Sequence, residues 1–83
     1  MIDLPLTRAL VELVLFIDQS DEEVVDPDAA ANCMHSLAGG FDRLDGQQRV
    51  EIAELLRVVA SEQRDASSRR RVNDLVHELG LSA

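Results

Sequence analysis

Eighty-three residues with a net charge of −8, 46% hydrophobic content and one cysteine describe a single small domain, residues 1–83, that no internal disulfide braces. Such a chain buries only roughly 60–65% of its unfolded surface, so the core is thin and must come from dense helix packing, with help from a second subunit an option. Lysine, tryptophan and tyrosine are absent and Phe16 and Phe41 are the only aromatics. A direct nucleic-acid binder, which needs cations and stacking surfaces, is therefore not expected.

The charge is segregated along the chain. Up to Asp45 ten acidic residues face only Arg8 and Arg43, whereas from Gly46 onward six acids and six arginines cancel. The densest run is Asp18-Gln19-Ser20-Asp21-Glu22-Glu23-Val24-Val25-Asp26-Pro27-Asp28. One sign of charge concentrated in one segment steers a basic partner and repels nucleic acid. No basic segment opens the chain and Glu12 interrupts the first apolar run, so no signal peptide is expected. That run, Leu10 to Ile17, is too short for a bilayer, so no membrane partner is expected either. The lone Cys33 is compatible with a reducing cytoplasm.

The periodicities predict four helices. In the first, Leu6, Leu10, Leu13 and Ile17 recur at spacings of four, three and four, and Val11, Val14, Leu15 and Phe16 add apolar surface on other sides. This stripe predicts a core face in which truncating Leu13 costs about 2–5 kcal/mol. The apolar excess around it predicts self-association through Val11, Val14 or Phe16. A strand over Leu10 to Ile17 is the weaker reading, since nothing else in the chain would pair with it.

The acidic segment breaks the helical period, and Ser20 with Glu23 three residues later is expected to cap a short turn. Asp26 then reads as an N-cap with Pro27 at the first helical position and Asp28 in the first turn. The second helix carries Ala30, Met34, Leu37, Phe41 and Leu44 at spacings of four, three, four and three. Gly39-Gly40 interrupts it, which reads as a close helix–helix approach or a kink. Asp45 with Gln48 forms a capping box for a third helix built on Ile52, Leu56 and Val59, with Ala53, Leu55 and Val58 beside them. Asp65 or Ser67 caps a fourth helix with Val72, Leu75, Val76 and Leu79 inward, and Gly80-Leu81 matches a Schellman ending. The expected architecture is a compact all-α four-helix bundle with short loops and an acidic turn between helices 1 and 2.

Catalytic and metal chemistry find little support. An EF-hand loop begun at Asp18 needs glycine sixth and glutamate twelfth, and those places hold Glu23 and Ala29. Cys33 and His35 point to different sides of a helix and His77 stands alone in another, so no zinc spacing exists. The serines occupy cap-like or polar helical places and Gly39-Gly40 is no phosphate loop. No enzyme activity, cofactor or metal is expected. Arg69-Arg70-Arg71, at the unfavourable end of the fourth helix for cations, is expected to reach Glu62, Asp65 or the acidic loop.

The stretch Val11-Glu12-Leu13-Val14-Leu15-Phe16-Ile17, followed by Ser20-Asp21-Glu22-Glu23-Val24-Val25-Asp26-Pro27-Asp28-Ala29-Ala30, resembles small acidic all-helical immunity proteins of bacterial toxin systems. Gly39-Gly40 departs from a plain second helix. The resemblance implies a cytoplasmic inhibitor that occludes a toxin domain. The residues expected to meet that basic partner are Asp18, Asp21, Glu22, Glu23, Asp26 and Asp28. The alternative is a homodimeric helical scaffold or accessory subunit in which the acid only solubilises, and an adaptor for a basic nucleic-acid enzyme is physically close to the first reading.

Overall fold

The computed structural model describes residues 3–81. Four helices follow in order: α1 (Leu4–Gln19), α2 (Pro27–Phe41), α3 (Gly46–Glu62) and α4 (Ala66–Glu78). The fold is an all-α four-helix bundle, and the run from Leu10 to Ile17 is helical rather than a strand.

Local chemistry sets most of the boundaries. An aspartate caps every helix: the side chains of Asp3, Asp26, Asp45 and Asp65 accept from the backbone N–H of Leu6, Ala29, Gln48 and Ser68. Asp45 and Gln48 complete a reciprocal capping box at 2.8 and 3.0 Å. Ser67 is not the cap of α4; its hydroxyl donates to the Asp65 carboxylate at 2.8 Å. At the other end of α4, Gly80 adopts φ +68°, Leu81 N–H donates to Val76 C=O at 2.8 Å and Gly80 N–H to His77 C=O at 3.0 Å. Those two bonds define a Schellman ending, and Leu81 and Val76 both enter the core.

The core lies mainly between α3 and α4, with α1 laid across α3. It comprises Ile52, Ala53, Leu56, Val59 and Ala60 from α3, Val72, Leu75 and Val76 from α4, and Val11 and Val14 from α1, closed by Leu79 and Leu81. α2 touches little beyond α1 and buries none of its fifteen residues, although Met34, Leu37, Ala38 and Phe41 lie partly covered against the core.

The phase of α1 differs from the sequence expectation. Its buried face is Thr7, Val11 and Val14, each 2% exposed or less, while Leu6 and Leu13 stand 64% and 63% exposed. The helix is apolar nearly all round, and α3 meets an arc about 90° away from the leucine stripe. Thr7 fits that arc because its hydroxyl donates back to Asp3 C=O at 2.8 Å, leaving no unpaired polar atom. Leu13 is therefore not a core residue of the single chain. Nor are Val11 and Val14 available to a second copy; of the three residues expected there, only Phe16 is exposed.

The glycine pair is also reassigned. α2 runs unbroken through Gly39 and Gly40 to Phe41, and a Cβ built at either glycine meets nothing within 4 Å. Among the described residues no neighbouring helix approaches closely enough to require glycine there.

Candidate functional site

The acidic segment folds as a hydrogen-bonded turn. Its first carboxylate, Asp18, receives Arg71 Nε at 3.0 Å, tying the end of α1 to α4. Gln19 Nε2 reinforces that link by donating to the Ser68 hydroxyl at 3.3 Å. Asp21, not Ser20, organises the turn: its carboxylate accepts from the N–H groups of Glu23 and Val24 at 3.0 and 3.1 Å, and its carbonyl from Val24 and Val25. The Ser20 hydroxyl instead donates back to Phe16 C=O. Asp26 closes the segment as the cap of α2.

The six acids expected to meet a partner thus divide by task. Asp18, Asp21 and Asp26 hold the turn in place. Glu22, Glu23 and Asp28 are exposed, and none forms an ion pair or side-chain hydrogen bond among the described residues. Val24, 63% exposed, follows Glu22 and Glu23 directly in the chain and adds an apolar side chain to the acidic segment. That combination suits a protein surface, where charge steers and apolar contact docks.

The arginine run resolves in one of its expected directions. Arg71 reaches the acidic segment through Asp18 and also pairs with Glu78 on its own helix. Arg69 donates to the free carbonyls of Gln63 and Arg64 at the end of α3, both at 3.0 Å. Glu62 is taken by Arg8, whose Nε and Nη2 donate at 2.9 and 2.7 Å, so the carboxyl lies below its ordinary range. Asp65 is also held below its ordinary range, first by the Ser68 N–H and then by the Ser67 hydroxyl.

A second surface escaped the sequence reading. Between α1 and α2 an open groove of about 430 Å³ is walled by Leu6 and Leu10 on one side and by Leu37, Gly40, Phe41 and Leu44 on the other, with Ile52 at its floor. Each of the two apolar stripes expected to face the core contributes to this groove, Leu6 and Leu10 from the first and Leu37, Phe41 and Leu44 from the second, while Leu10, Met34, Leu37, Phe41 and Leu44 also pack partly buried against the core. The absence of charge from both stripes was the available signal. Among the described residues no three His, Cys, Asp or Glu side chains gather as a metal site, and no helix is long and apolar enough to cross a membrane. Cys33 is exposed on α2.

Against known proteins, no family model matches the chain, and no curated protein or solved structure shows significant similarity to it.

Proposed function

We propose that this chain is a non-enzymatic inhibitor of the immunity-protein kind, acting in the cytoplasm, that docks on a basic surface of a toxin domain through residues 18–28. The observation that carries the reading is the division of labour in that segment. Asp18, Asp21 and Asp26 are committed to holding the turn, so Glu22, Glu23 and Asp28 are carried on a hydrogen-bonded backbone, which lowers the main-chain ordering cost of binding and leaves their carboxylates free for a partner. Like-signed carboxylates raise the rate of encounter with a basic partner, and the bundle behind them blocks the partner's working cleft. The resemblance of Val11 to Ala30 to immunity proteins supports the toxin as the partner class. An exposed Cys33 suits a reducing compartment.

The test is a pull-down from the native host with mass spectrometry of the retained protein, followed by stopped-flow association. The double variant Glu22→Lys/Glu23→Lys should slow association, with stability changed by no more than about 0.5 kcal/mol. Asp21 stays untouched because its carboxylate builds the turn. Wild-type association should slow steeply with added salt, since exposed charges are screened beyond about 8 Å at physiological ionic strength. An unchanged rate with a flat salt dependence would remove the acidic segment from recognition.

A further inference from the structure

We propose that the α1/α2 face is the interface of a homodimer, with the groove of one copy filled by the exposed leucine ridge of the other. This inference does not rest on the toxin reading, because it concerns a different surface and a different occupant.

Area comes first. A compact monomer of this mass exposes about 4,900 Å², whereas this chain exposes 5626 Å², about 700 Å² more. That excess is close to the roughly 800 Å² that each partner contributes to an interface of standard size. The radius of gyration agrees, at 12.6 Å against about 11.8 Å for a well-packed chain of this length. Part of that surplus lies on this face: among the described residues Leu6 and Leu13 are two of the six large hydrophobics left exposed, both belong to the leucine stripe of α1, and Leu6 lines the groove.

Charge then selects the occupant. A site for a basic partner carries acid, yet α2 has one charged residue in fifteen, Asp28, and it lies off the Met34–Leu37–Phe41 stripe. On α1, Arg8, Glu12 and Asp18 all sit more than about 100° around the helix from the Leu6–Leu10–Leu13–Ile17 stripe. A chain of net charge −8 repels its own copy wherever acids meet, so a self-contact must exclude its own charge. This face does so.

Spacing also fits a two-fold pair. Four-three-four along α1 reads the same from either end, and so does Ala30–Met34–Leu37–Phe41 on α2. A two-fold contact pairs the same patch on both copies, residue i with j and j with i, and a continuous apolar seam of this spacing can meet its own copy in that way. Gly40 lines the groove with open space where a Cβ would stand, so a second backbone can approach there without obstruction.

Sedimentation equilibrium of the full chain, alone and across a concentration series, tests the proposal. The wild type should sediment at twice the monomer mass in the upper part of the series. Leu13→Glu and Leu6→Glu should each halve that mass while keeping the helical circular dichroism, because both positions are exposed in the single chain. Val58→Glu, on the exposed side of α3, should leave the dimer intact. Hydrogen exchange of the wild type should show protection of α1 and α2 rising with concentration, while α3 and α4 stay constant. A wild type that is monomeric throughout the series overturns the proposal. So does a dimer that survives Leu13→Glu with its mass unchanged, or one that only Val58→Glu dissociates.

Discussion

Leu13 and Leu56 are the same residue type with opposite environments, 63% and 0% exposed. Leu56→Ala should cost about 2–5 kcal/mol, the range for a leucine removed from a closed core. Leu13→Ala, measured at dilution, should cost no more than about 0.5–1 kcal/mol, most of which is surface packing. Urea titration of the two variants separates them, and equal losses would mean that α1 packs with the leucine stripe inward. Arg49 is a second decisive residue. Its guanidinium donates to Leu44 C=O at 3.2 Å, Asp42 C=O at 3.1 Å and Gly80 C=O at 3.0 Å, fastening the α2–α3 turn to the Schellman end of α4. A lysine is a point charge and cannot span three carbonyls, so Arg49→Lys should lose about 1–2 kcal/mol in the same titration.

Helix boundaries and helix orientation differ in how far sequence discloses them. Asp26, Asp45, Asp65 and Gly80 act on atoms within a few residues of themselves, and each was readable without the fold. The phase of α1 was not readable, because Leu6-Leu10-Leu13-Ile17 offers more apolar bulk than Thr7-Val11-Val14, and only the position of α3 decides between them. The candidate site was legible in outline for a similar reason. The acidic run is visible in composition and Asp21 and Asp26 are taken by nearby backbone N–H groups, but the occupation of Asp18 depends on Arg71, which lies 53 residues beyond it. Two predictions belong to this scale. Gly80→Ala forces a β-carbon into φ +68° and should cost about 1 kcal/mol, seen as a fall of about 4–8 °C in melting temperature. Asp65 is more acidic folded than unfolded, so its contribution is complete above the ordinary value of about 4 and drains away as pH falls through the lower folded value. Asp65→Asn keeps an equally good cap without the titrating group, and should flatten the decline of the urea midpoint below pH 4. An unaltered decline would assign acid sensitivity to other carboxyls.

At the scale of the whole molecule, stability is unevenly distributed. α3 and α4 share the core, α1 is anchored to it by Val11, Val14 and the Arg8–Glu62 pair, and α2 is held only by half-covered side chains. Amide exchange under native conditions should therefore find α2 opening well before α3 and α4 in dilute protein, since local stability follows buried contact. Equal protection across all four helices would show that α2 is coupled to the core more strongly than its burial indicates.

The lack of any buried residue in α2 also bears on the order in which the bundle is made. α3 and α4 are joined by residues 63–65 and pack against each other most extensively, so their contacts close a short loop and reward it early. A helix that adds little to the core is a late arrival, absent from the transition state. Truncating Met34 or Leu37 to alanine should then leave the refolding arm of a chevron where it is and accelerate the unfolding arm, whereas Leu56→Ala or Leu75→Ala should slow refolding itself. For this chain, the time course of folding and the hierarchy of burial become two measurements of one asymmetry.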